Sequence, residues 1–146
     1  TRFACFLRDA GIPGPAWVLG EHGERQVPLF SKTGASVGIE DREAFLSRMR
    51  GASMEVIRGK GGTIFGPAYH IIMLIRAVLE DRREVLPCSC VLDGEYGLSG
   101  CSLGVPARIG REGILGIEEW DLDPWEDAKM AEAGAFVQSL CRGFDG

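Results

Sequence analysis

No apolar run in this chain is long enough to cross a bilayer. The longest, Ile71-Ile72-Met73-Leu74-Ile75, stops at Arg76, whereas a spanning helix needs about 20 apolar residues. The first residues show no signal-peptide pattern. A basic excess is missing too: 16 Lys and Arg stand against 21 Asp and Glu, a formal charge of −5. Phosphate backbones need a basic face, so the acidic balance disfavours nucleic acid and none is expected as a partner. Neither Gly-x-Gly-x-x-Gly nor Cys-x-x-Cys occurs, which removes the usual dinucleotide-phosphate turn and the commonest zinc spacing. Gly59-Lys60-Gly61-Gly62-Thr63 fails the phosphate-loop spacing and follows a helical pattern rather than a strand, so it reads as a helix terminator. The five cysteines are an odd number without a secreted framework; reduced thiols in a cytoplasmic protein are the better reading.

What is present suits one domain with its own core. The chain of 146 residues has ordinary globular composition and no internal repeat. Phe3, Phe6, Leu7 and Ala10 share a helical face that ends at Gly11-Ile12-Pro13-Gly14-Pro15. Short strands are predicted over residues 16–20 and 26–30, with a glycine-rich connection at 32–38. Phe45, Leu46, Met49, Ala52, Val56 and Ile57 recur at helical spacing. Gly51 weakens that helix by about 1 kcal/mol relative to Ala, and residues 59–62 end it. Their apolar face is either ordinary core or a contact between subunits. The next helix, from near Ile64 to about Glu80, is apolar on most sides and should be buried between layers. His70 within it reads as a core or interface histidine.

Residues 85–92, 103–109 and 113–117 read as an antiparallel meander, with Asp93-Gly94 as a turn. Asp123 as N-cap, Pro124 and Glu126 mark the start of a final helix. Ala131, Ala135, Val137, Leu140 and Cys141 give that helix a packing face. Cys88 and Cys90 share one face of a strand and, with Cys101, read as small apolar packing groups; no metal site is expected. Helices packed on a twisted antiparallel sheet make the fold class α+β.

One histidine stands out. His22 lies between Gly20 and Gly23, on a bend between two apolar runs. The glycines allow a sharp turn and close approach by a ligand, and an imidazole on a loop off a rigid strand suits proton transfer near neutral pH. Gly20-Glu21-His22-Gly23 followed by Val27-Pro28-Leu29-Phe30-Ser31 resembles the catalytic-histidine segment of the NAD-dependent lactate/malate dehydrogenase family. Further segments resemble that family in the same order: Lys60-Gly61-Gly62-Thr63-Ile64-Phe65-Gly66-Pro67-Ala68, Glu84-Val85-Leu86-Pro87, Gly94-Glu95-Tyr96-Gly97, Gly104-Val105-Pro106 and Glu119-Trp120-Asp121-Leu122. The likeness points to the archaeal malate dehydrogenases.

The resemblance implies that residues 1–146 are the C-terminal catalytic and substrate-binding domain, with the N-terminal Rossmann domain absent from this chain. It implies that His22 exchanges a proton with the substrate oxygen, that Arg2 pairs with the substrate carboxylate and that Thr63 lines the substrate pocket. Thr63 between a glycine run and a helix also reads as an N-cap. Arg2 would belong to a motif Leu-Asp-Ser/Thr-x-Arg-Phe whose aspartate, the partner of the histidine, lies before residue 1. Glu21 and Glu24 adjoin His22 without having to face it. NAD or NADP would be bound mainly by the other domain, so the isolated chain is expected to be inactive. The implied partners are a small 2-hydroxy or 2-oxo acid, the dinucleotide-binding domain and further copies in a homodimer or homotetramer. Two readings follow: part of a malate, or else lactate, dehydrogenase; or a stand-alone module that keeps the fold without redox chemistry.

Overall fold

The computed structural model describes residues 2–144; the side chains of residues 51–55, 60 and 144 lie outside the description, and with them the expectations for Gly51 and Ala52. Among the described residues, four α-helices and five strands follow in the order α1 (Arg2–Asp9), β1 (Val18–Gly20), β2 (Gln26–Pro28), α2 (Ile39–Lys60), α3 (Phe65–Leu79), β3 (Glu84–Asp93), β4 (Ser99–Gly110), β5 (Gly113–Ile117) and α4 (Pro124–Cys141). The fold is α+β, as the sequence predicts. The sheet is antiparallel throughout, in the order β2-β1-β4-β3, with β5 also on β4.

The long β3–β4 hairpin is its spine, paired from Glu84↔Ile109 to Asp93↔Ser99. The expected turn at Asp93-Gly94 is present, with Gly94 at φ 123°. Alternation along β4 sends Cys101, Leu103, Val105, Ala107 and Ile109 into the core, where Cys90 and Leu92 of β3 meet them. Ala77 of α3 and Met130 and Ala133 of α4 cover that face. A second cluster joins α1 and α2 around the segment after β2: Phe3, Leu7, Phe30, Phe45, Leu46 and Met49 are all buried. Phe3 and Phe30 meet edge to face at 5.1 Å between ring centres. The apolar face of α2 is therefore intradomain core where Phe45, Leu46 and Met49 lie, although Ile57 beyond it is exposed.

The final helix begins as expected. The Asp123 carboxylate accepts from the Trp125 and Glu126 amides, and Glu126 returns the favour to the Asp123 amide. Its packing face, however, is not the one expected. Ala131, Ala135, Leu140 and Cys141 are exposed, Val137 is half-buried, and the inward residues are Glu126, Met130, Ala133 and Gly134. Alanine marks a face weakly. The true face contains a carboxylate satisfied by hydrogen bonds and a glycine under which Leu98 packs; a Cβ on Gly134 would sit 2.6 Å from the Leu98 side chain.

The larger correction concerns α3. The helix forms as predicted, but it is not buried between layers: only Ala77 is fully buried, while Ile64 before it and Phe65, Tyr69, Ile71, Ile72, Ile75 and Leu79 are exposed. One side of the helix rests on the sheet, and no described element covers the rest. His70 is likewise exposed, edge-on to Tyr69, and is no core histidine. Among the described residues, no helix is long and apolar enough to cross a membrane.

Candidate functional site

The site starts from a hairpin with almost no side-chain bulk at its root. β1 pairs with β2 through Val18↔Pro28, Leu19↔Val27 and Gly20↔Gln26. Its one pairing to β4 is Gly20↔Gly104. Gly20 has φ +86°, and a Cβ there would come within 2.6 Å of the Arg25 carbonyl oxygen. A Cβ on Gly104 would meet the Gly20 oxygen at 3.1 Å. Two glycines face to face thus set the hairpin hard against β4, and His22 projects from the loop beyond.

Three side chains far apart in sequence meet here. Arg2 at the start of α1, His22 on the hairpin loop and Thr63 between α2 and α3 all line one open cavity of about 730 Å³. Its apolar wall is Val18, Val56, Ile64, Phe65, Pro67 and Ile71. A second cavity of about 390 Å³ shares Arg2 and His22 and runs along the sheet past Gln26, Ser89, Ser102 and Gly104. Arg2 is half-buried and tied to α2 by a 3.3 Å bond from Nη1 to the Met49 carbonyl oxygen. Phe3 beside it is fully buried.

Thr63 is exposed and does not cap α3; the residue at that position is Ile64, and no side chain caps the helix. The preceding glycine run does terminate α2. Gly61 adopts φ 76°, and its amide donates to the Ile57 carbonyl oxygen.

His22 is exposed, and no described carboxylate holds its ring. The Glu21 carboxylate accepts instead from the Arg25 amide at 3.2 Å. Glu24 points at Arg50 of α2, 3.8 Å away. The thiols stand apart from this chemistry. Burial pushes the pKa of Cys88, Cys90 and Cys101 up, which keeps them protonated and unreactive. Among the described residues no three His, Cys, Asp or Glu side chains stand close enough to hold a metal ion.

Sequence reasoning missed Gly104 as the backstop of the hairpin and the Ser89–Ser102 hydroxyl pair, 2.8 Å apart, on the cavity floor. Strand periodicity does place Ser89 and Ser102 opposite the core face, but their pairing needs the register of β3 on β4, which sequence does not supply.

Comparison with known proteins agrees with this architecture. Residues 14–140 match the lactate/malate dehydrogenase, alpha/beta C-terminal domain. Malate dehydrogenase of Natronomonas pharaonis is 45% identical over 123 residues, covering 81% of this chain and 40% of that protein. Its counterpart in Halobacterium salinarum is 43% identical over the same shares. The structure of Archaeoglobus fulgidus malate dehydrogenase in complex with NADH superposes with a TM-score of 0.85 at 33% identity, covering 99% of this chain and 49% of that one. The malate dehydrogenase of Salinibacter ruber gives 0.81 at 29% identity. The chain spans less than half the length of the relatives it matches. On the domain match, the sequence identity and the shared fold together, this chain belongs to the lactate/malate dehydrogenase family and carries its alpha/beta C-terminal domain.

Proposed function

We propose that residues 1–146 are the substrate-binding half of an NAD(P)-dependent L-2-hydroxy acid dehydrogenase that interconverts malate and oxaloacetate. One observation carries this reading: Arg2, His22 and Thr63, from three separate segments, line the same cavity. The Arg2 guanidinium matches a carboxylate in a two-pronged geometry and orients the carbon next to it. In reduction the His22 imidazolium donates its proton to the oxygen of the carbonyl as that carbon becomes a secondary alcohol. In oxidation the neutral ring takes the proton back. Thr63 lines the rim and limits how the acid sits.

The residues present fit one end of a dinucleotide. Ile64, Phe65, Pro67 and Ile71 form an apolar wall suited to a flat nicotinamide ring, and the sequence has no phosphate turn for the remainder. When bound, the cofactor supplies or accepts the hydride. The dinucleotide-binding domain that the relatives carry is proposed to cover α3. Its exposed apolar residues, among them Ile64, Phe65 and Ile72, exceed what an isolated surface helix shows. Self-association into a dimer or tetramer belongs to the same proposal and is read by size-exclusion chromatography with light scattering.

The test is NADH oxidation by the complete protein with oxaloacetate, against pyruvate as competitor. Preference for oxaloacetate is expected, and residues 1–146 alone should be inactive. His22→Asn should lower turnover by about 10²–10⁴-fold, the range of acid–base catalysis, with NADH binding retained. A complete protein that oxidises NADH with no 2-oxo acid would favour the non-catalytic module instead.

A further inference from the structure

The loop that carries His22 is built around the carboxylate of its neighbour. The Glu21 amide donates to the Arg25 carbonyl oxygen at 3.1 Å, and the Arg25 amide donates to Glu21 Oε2 at 3.2 Å. Residues 21–25 are thereby closed at both ends by one residue. A Cβ on Gly23 would lie 2.6 and 3.0 Å from the two Glu21 carboxylate oxygens, so the carboxylate lies against the backbone of the loop. Gly23 needs no positive φ; a side chain there would have to displace that carboxylate.

The far end of the clamp is itself anchored. The Arg25 guanidinium stacks 3.5 Å from the centre of the Phe136 ring and lies 3.9 Å from Glu132, both on α4. Glu24, by contrast, is mostly exposed and approaches Arg50 Nε no closer than 3.8 Å.

We propose that Glu21 is a positioning residue for His22, acting through the loop backbone rather than on the ring. The inference rests on the reading of His22 as the acid–base group. His22 is carried by this loop, so the position of its imidazole at the cavity depends on the loop's backbone conformation. A five-residue loop with glycine at its third position samples many conformations unless tied. Reacting groups must be held to within about 0.5 Å, and a misplacement of about 1 Å can cost 10²-fold in rate.

The experiment uses the complete protein with NADH and oxaloacetate. Glu21→Ala should lower kcat by about 10–100-fold, with the KM for oxaloacetate, NADH affinity and melting temperature close to wild type. Glu21→Gln should restore most of kcat, because its amide oxygen accepts the same Arg25 bond. Gly23→Ala should lower kcat in the wild-type background by expelling the carboxylate, and should change nothing further in Glu21→Ala.

Wild-type kcat in Glu21→Ala, additive losses in the double variant, or Glu21→Gln as impaired as Glu21→Ala would each overturn the proposal. Should Glu21→Ala lose its fold, Gly23→Ala and Glu21→Gln carry the comparison between them, the first falling and the second holding. Wild-type protein without turnover, or a fully active His22→Asn, would overturn the underlying reading of His22 instead.

Discussion

Replacing Glu126 by alanine should destabilise this domain more than any surface change. The carboxylate is fully buried. It accepts from the Ser31 amide at 2.8 Å, the Ser31 hydroxyl at 2.6 Å and the Asp123 amide at 3.2 Å. The first two bonds lock the segment leaving β2 onto the start of α4. Each hydrogen bond to a charged acceptor contributes about 1.5–3 kcal/mol, and the long third adds less. Removing the carboxylate also lifts its own desolvation cost. The net loss should then be about 3 kcal/mol, the worth of two such bonds at the low end of that range. Ser31→Ala removes one bond and should cost about 1.5–2 kcal/mol. Urea unfolding of the complete protein, followed by tryptophan fluorescence, reads both, since Trp125 packs edge-on against Phe30 at 5.9 Å and contributes to the signal. A double-mutant cycle should give a coupling of about 1–2 kcal/mol. A Glu126→Ala variant within about 1 kcal/mol of wild type, the typical worth of one ordinary hydrogen bond, would refute the reasoning, as would strict additivity with Ser31→Ala.

Asp123 gives a pH signature. Burial opposes its ionisation, but the Glu126 amide, the Arg42 guanidinium at 2.5 Å and the Trp125 amide together outweigh this and hold its pKa below the ordinary value. The stability it contributes is full above the unfolded carboxylate pKa of about 3.9 and disappears as pH falls through the lower folded value. Melting temperature against pH should show that acid loss in wild type and a flatter curve in Asp123→Asn. On α3, Ile72 is 57% exposed and lines neither cavity that Arg2 and His22 share. If the dinucleotide-binding domain covers it, Ile72→Lys buries a charge there, so the complete protein should lose NADH turnover and become open to limited proteolysis between its halves, while residues 1–146 alone become more soluble.

Much of the fold was legible in the chain. Alternation in β3 and β4, the Asp123-Pro124-Glu126 start of α4 and the glycines ending α2 are local signals, each decided by the conformations that neighbouring residues allow. His22 was legible for the same reason, as a ring flanked by Gly20 and Gly23. Where a face had to be assigned, local pattern was weaker. Ala131 and Ala135 suggested the wrong side of α4, because a satisfied Glu126 and a small Gly134 can line a core that hydropathy would deny them. For α3, apolarity on every side led to the expectation of burial between layers, whereas among the described residues the helix is covered on one side only, because hydropathy does not say which neighbour packs against a face.

The sequence by itself determined the α+β elements, the family and the three side chains on which the proposed chemistry rests. It could do so because periodicity, caps and motif spacing are properties of adjacent residues. Only the tertiary structure decided that Arg2, His22 and Thr63 share a cavity, that Gly20 and Gly104 let the hairpin close on β4, and that Glu21 folds back under its own loop. Those are contacts between backbones and side chains brought together by register and packing, and they exist only once the sheet has closed.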